Sequence, residues 1–137
     1  RSPQGLDGLR LALLLAVLER RAGIDPGALD VYATVVGGAQ VTEPAADLPL
    51  ALAIVSAVVG RPLDPDTVAF GEVGLGGELR QVTDTGRRLN EAARLGFRRA
   101  VVPASTPDPP AGIELIRIAT LVEAVAAVGL LPAAPGV

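Results

Sequence analysis

Cysteine, histidine, lysine, methionine and tryptophan are all missing from the 137 residues, and the aromatic side chains are one tyrosine and two phenylalanines. Each absence removes a class of chemistry. Without cysteine or histidine there is no ordinary zinc, haem or iron–sulfur site and no thiol nucleophile. Without lysine or histidine there is no Schiff base, no serine–lysine dyad and no serine–histidine–aspartate triad. The serines Ser2, Ser56 and Ser105 therefore have no base to activate them, and acid–base work is left to Asp, Glu and Tyr32. So few aromatics argue against stacking on nucleobases. The net charge of −3 argues against a dedicated nucleic-acid domain unless the arginines cluster. The uncharged runs Leu11–Leu18 and Leu48–Gly60 fall short of the roughly 20 residues that cross a bilayer, and Arg1 opens no signal-peptide pattern. A soluble, cytoplasmic chain is expected. The lack of any methionine is expected of a piece of a longer protein.

What is present centres on Val31–Val59. Val31, Tyr32, Thr34, Val35 and Val36 read as a buried strand, Gly37-Gly38 lets the backbone bend, and residues 41–47 turn into an apolar helix, Leu48–Val59, closed by Gly60. Such a corner can place a nucleophile or hold an anion at a helix N-terminus. The residues it presents are Pro44, Ala45 and Ala46, none of them a nucleophile. Asp47 stands where an N-cap is expected.

The rest of the chain supplies the frame. Leu6–Arg21 predicts a helix with two apolar stripes, Leu6/Leu9/Leu13/Ala16/Val17 and Leu11/Leu14/Leu15/Leu18, which is the pattern of a helix covered on two sides. The second cover is either its own domain or a neighbouring subunit. Asp25-Pro26-Gly27 turns into a strand over 29–36, and Gln40–Thr42 returns from it or continues it. Thr67–Phe70 and Glu78–Val82 read as strands around the glycine-rich stretch Gly71–Gly77. That stretch lacks the Gly-Lys-Ser/Thr and G-x-G-x-x-G spacings of phosphate loops, so a tight hairpin or close backbone approach is expected. Gly86–Gly96 predicts a helix buried through Leu89, Ala92, Ala93 and Gly96. Ala100–Val102 and Ile113–Ile118 are strands, and Thr120 with Glu123 forms a capping box for a helix Leu121–Val128. The order predicts an α/β or α+β domain with one mixed sheet.

Five of the twelve arginines, Arg87, Arg88, Arg94, Arg98 and Arg99, fall within thirteen consecutive residues. They make either a solvated face with an Arg87–Glu91 pair, or a patch able to meet phosphate backbone, which needs charge density and no base-reading groups.

Several stretches taken together carry a resemblance. Val35-Val36-Gly37-Gly38, Thr42-Glu43-Pro44-Ala45-Ala46-Asp47, Arg61-Pro62-Leu63, Gly71-Glu72-Val73-Gly74-Leu75, Glu78-Leu79-Arg80, Glu91-Ala92-Ala93-Arg94-Leu95-Gly96-Phe97 and Val101-Val102-Pro103 resemble the C-terminal domain of the bacterial RadA (Sms) family of DNA repair proteins. More distantly they resemble the proteolytic domain of Lon proteases. The resemblance implies an α/β (α+β) fold of Lon-protease type, a mixed sheet packed with helices, over residues 1–131, with 132–137 as a tail. Lon-type peptidases carry a Gly-Pro-Ser-Ala-Gly turn and a later lysine. Aligned without gaps, the nucleophile falls on Ala45, the lysine on Gly86, and Asp47 replaces the second glycine.

For function, the resemblance implies a non-catalytic oligomerisation and DNA-contact domain of a RecA-like ATPase acting in recombinational repair. The parent is expected to form a hexamer and to act on single-stranded or branched DNA. ATP, magnesium and zinc belong to its preceding domains, and no cofactor, membrane or small-molecule substrate is expected here. Arg87, Arg88, Arg94, Arg98 and Arg99 are the candidate DNA contacts. Two alternatives stay open: a pure protein-interaction module, and carboxylate catalysis by Asp47, Glu43 or Asp84.

Overall fold

Leucines spaced three and four residues apart bury one side of the first helix, and the rest of the domain is built on that side. The computed structural model describes residues 2–4, 8–24, 32–34, 43–109 and 112–131. Helix α1 (Gly8–Ala22) buries Leu11, Leu14, Leu15, Val17 and Leu18, and ends with Arg20 and Arg21 at the negative pole of its dipole. Of the other stripe, Val17 is buried and Leu13 half-buried, while Ala16 and Leu9 face outward, Leu9 at 83% exposure. The helix is thus covered on one broad side, with Leu9 and Ala16 on the side away from it.

Strands β1 (Ser2–Gln4) and β2 (Tyr32–Thr34) pair in parallel, Ser2 opposite Tyr32. The rest of the expected strand, Gly37-Gly38, the turns over 25–27 and 40–42, and the tail 132–137 lie outside the described residues. The chain then enters a single 3₁₀ turn, Pro44–Ala46, that runs directly into α2 (Asp47–Val59). Asp47 is not the expected cap. Its backbone is already helical (φ −58°, ψ −51°), whereas a capping side chain needs extended backbone to fold back over the first turn. The Leu48 N–H is met instead by the Gly71 carbonyl at 3.0 Å, and Gly71 N–H returns to the Ala45 carbonyl at 3.0 Å. At the far end Gly60 takes the left-handed conformation (φ 71°) expected of a stop.

The main sheet is parallel, in the order β3 (Thr67–Ala69), β6 (Arg99–Pro103), β7 (Glu114–Ile118). Central β6 is covered on both faces, as parallel strands require. Ala100 and Val102 join Phe70, Leu89, Ala92 and Ile113 in one cluster, and Val101 joins the α1–α2 core in the other. Between β3 and β6 come a hairpin, β4 (Glu72–Val73) with β5 (Leu79–Arg80), and then α3 (Thr85–Arg94). The tight hairpin expected of the glycine-rich stretch forms, and the partner of β5 in it is not Thr67–Phe70. That partner is Glu72-Val73, inside the glycine stretch, because Gly74–Gly77 is enough to close the turn: Gly74 N–H meets the Glu78 carbonyl at 2.9 Å. Gly77 (φ +82°) also lets the hairpin approach α1, since a Cβ there would stand 3.2 Å from that of Arg21. Helix α4 (Leu121–Ala127) starts at the expected cap, Thr120 Oγ1 accepting the Glu123 N–H at 3.3 Å, and buries Leu121, Ala124 and Val125. The fold is α/β with mixed pairing, which among the described residues is distributed over three sheets.

Candidate functional site

Two places concentrate polar chemistry. The first lies under the 3₁₀ turn. Arg10 sits between Leu9 and Leu11 on α1, and Asp47 opens the otherwise apolar α2; helix packing brings these isolated charges together. Arg10 Nε donates to Asp47 Oδ1 at 2.6 Å and its Nη2 donates to Asp47 Oδ2, making a two-pronged pair. Val73 N–H donates to the same Oδ2 at 3.0 Å. The Asp47 side chain is 2% exposed, so its oxygens are committed to holding α1, α2 and β4 in register. The hydrogen bond to Asp47, and then its charge, raises the Arg10 pKa above its ordinary value. Glu72 extends the chain of charges, 3.4 Å from Arg10 and 3.9 Å from Arg80, and Arg80 reaches Glu78 at 3.1 Å. The Glu78 carboxyl is held below the usual range, first by its own backbone N–H and then by Arg80.

Beside this network is an open pocket of about 420 Å³, lined by Glu43, Ala45, Glu72, Gln81, Thr83 and Arg88 among others. Ala45 is buried in its wall. Gly86, the other position aligned with a catalytic residue, lies in the first turn of α3, two residues before Arg88. Arg88 meets Glu43 at 3.0 Å and donates to the Thr83 carbonyl at 2.9 Å. Of the carboxylates weighed for catalysis, Asp47 is consumed by Arg10, Glu43 is paired and exposed, and Asp84 is exposed in a left-handed backbone conformation (φ 59°) before α3. Among the described residues no cluster is arranged to hold a metal ion, and no helix is long and apolar enough to cross a membrane.

The second place is the outer side of α3. Arg87, Glu91 and Arg94 are exposed along it, as their spacing predicts, whereas Arg98 is exposed beyond its end, in the segment between α3 and β6. The expected Arg87–Glu91 pair is replaced by Glu91–Arg94, in which Arg94 Nε donates to Glu91 at 2.9 Å. That bond, and then the charge of Arg94, lowers the Glu91 pKa and raises that of Arg94. Arg99 starts β6 and meets Asp64 at 2.5 Å and Glu114 at 3.9 Å. Asp64 is held below the carboxylate range by the Asp66 N–H first and Arg99 second. The five candidate arginines thus separate. Arg88 turns into the pocket, Arg94 and Arg99 are neutralised by neighbours, and Arg87 and Arg98 have no ion pair among the described residues.

Comparison with known proteins bears on both places. A family described as subunit ChlI of Mg-chelatase matches residues 39–106, which include the pocket wall, α2, the hairpin and α3. The DNA repair protein RadA of Salmonella typhimurium is 50% identical over 122 residues, 88% of this chain. RadA of Synechocystis sp. is 46% identical over 127 residues, 92% of the chain, and RadA of Mycobacterium tuberculosis 44% over 124 residues, 90% of the chain. The resemblance to RadA is shown over most of the chain. These matches cover 26%, 25% and 26% of the respective RadA proteins, so the chain spans about a quarter of its RadA relatives. Arg10, which the motif reading passed over, is the residue that explains Asp47. The signal available for it was one cation in a run of leucines.

Proposed function

We propose that the chain is the C-terminal, Lon-protease-like domain of a RadA-type DNA repair protein, and that it serves as a non-catalytic assembly and DNA-contact module beside a RecA-like ATPase. The observation that carries this reading is the 44–50% identity to RadA proteins along 88–90% of the chain. The pocket supports the non-catalytic part. Ala45 stands in its wall where a nucleophile would stand, and no lysine exists in the chain to activate one. The parent protein acts in the cytoplasm, forms a ring, and carries its ATP, magnesium and zinc sites in other domains. The DNA-contact part rests on Arg87 and Arg98, the exposed cations left over once Glu43, Glu91 and Asp64 have taken their partners.

Light scattering over a concentration series, with a fluorescent single-stranded DNA titration at low and moderate salt, tests the reading. Self-association together with DNA binding that weakens as salt rises is the expected result. A monomer without affinity for DNA would overturn it. The neutralisation of three of the five arginines favours a second reading, a protein-interaction module that never touches DNA. In that case the chain associates and the DNA signal stays flat.

A further inference from the structure

The three arginine pairs on and beside α3 are not equally firm. Arg88 is held twice, by Glu43 at 3.0 Å and by the Thr83 carbonyl at 2.9 Å. Arg99 meets both Asp64 and Glu114, and Asp64 is itself fixed by the Asp66 N–H at 2.8 Å. In these two cases the carboxylates come from distant parts of the chain and are set by the fold. Arg94 differs. Its one ion-pair partner among the described residues is Glu91, one turn back on the same helix, and both side chains are exposed. Position gives this pair its consequence. Glu91 is the only carboxylate in α3, and it stands between Arg87 and Arg94 on the outer side of the helix. Those two arginines are seven residues apart, about 10 Å along the axis. With Glu91 between them, the three side chains carry one net positive charge; without it they would carry two, and Arg98 beyond the helix end would add a third.

We infer that Glu91 holds this face below its full affinity for a phosphodiester backbone, and that Arg94 is a latent phosphate contact which Glu91 withholds. This rests on the DNA-contact part of the proposed function and adds to it the residue that sets its strength. A phosphate approaching Arg94 meets a guanidinium whose Nε already donates to Glu91 at 2.9 Å and whose Nη2 donates to the other carboxylate oxygen. Parting an exposed pair costs little. The carboxylate, however, does not leave: tethered to the same helix, it stays within one turn of Arg94, cancels its charge, and repels the phosphates on either side. Nucleic acid is therefore met by Arg87 and Arg98, and Arg94 joins them when the Glu91 charge is removed. Arg88 and Arg99 offer no such reserve, because each keeps a second partner when one carboxylate is lost.

Glu91→Gln tests it, since Gln suits a helix as well as Glu does and only the charge is lost. Asp108→Asn is the control: Asp108 is 96% exposed and paired with Arg117 at 2.9 Å, so this change also removes one carboxylate from one arginine, but outside α3. Circular dichroism and the urea midpoint verify that the variants fold as the wild type does. Binding of a fluorescent single-stranded oligonucleotide is then followed by anisotropy over a salt series. Glu91→Gln is expected to bind severalfold more tightly at low salt, with a salt slope steeper by about 0.7, the increment for one further phosphate contact on a single strand. Asp108→Asn is expected to match the wild type, and the gain is expected to vanish in Glu91→Gln/Arg94→Gln. If the wild type binds and Glu91→Gln binds no better, or Asp108→Asn gains as much, Glu91 withholds nothing: this inference fails and the DNA-contact reading stands. If neither the wild type nor Glu91→Gln binds at low salt, both fail.

Discussion

Two arginine–carboxylate pairs in this molecule share their chemistry and differ in what surrounds them. Arg10–Asp47 joins two helices 37 residues apart in sequence, with the carboxylate 2% exposed; Arg94–Glu91 lies within one turn of α3, with its members 67% and 55% exposed. Both are two-pronged. Water makes the difference. A carboxylate taken out of water needs its partner to offset several kcal/mol of desolvation, while an exposed one is solvated with or without it. The inner pair therefore belongs to the fold, whereas the outer pair costs little to break.

The largest effect should come from Arg10→Ala, which leaves the Asp47 charge buried with only the Val73 N–H to meet it. A loss of about 3 kcal/mol in urea unfolding is expected, toward the low end for a broken buried pair because Arg10 is one-third exposed. Asp47→Asn comes next, at about 2 kcal/mol, since Asn keeps an acceptor for Val73 but gives up the charge-assisted bonds. A silent Asp47→Asn would mean that the residue acts as a helix cap after all, because Asn caps as well as Asp. Arg94→Ala should leave the unfolding midpoint unchanged within error at neutral pH.

The outer pair has a finer signature in acid. Glu91 is held below its ordinary pKa in the folded state, first by the hydrogen bond from Arg94. Whatever stability that confers is present above the unfolded-state pKa and is lost as pH falls through the folded one. Following the Glu91 carboxyl by NMR, Arg94→Ala should move its midpoint upward, toward that of a free glutamate. An unmoved midpoint would show that the pair does not form in solution.

Local punctuation was legible in the sequence because it acts over a few residues. Gly60 ends α2, Thr120 caps α4, and the alternation in 113–118 becomes β7. What could not be read was brought together over distance. Asp47 looked like a cap because its partner lies 37 residues away, and the hint was only that each residue is a charge set in an apolar stretch of its helix. The arginine cluster is dense along the chain, yet Glu43 and Asp64 arrive from outside it to take Arg88 and Arg99. The pairing of Thr67–Ala69 was hidden for the same reason: the segment has strand character, but its partner is β6, more than thirty residues on.

The most direct test of the functional account is a titration of fluorescent single-stranded DNA with the Arg87→Glu/Arg98→Glu double variant beside the wild type, across a salt series. The account predicts weaker binding by the variant and a shallower dependence on salt, with an unchanged unfolding midpoint because neither side chain has an ion pair among the described residues. Equal affinity and an equal salt slope in the two proteins would contradict it, and would leave this domain with assembly as its sole role.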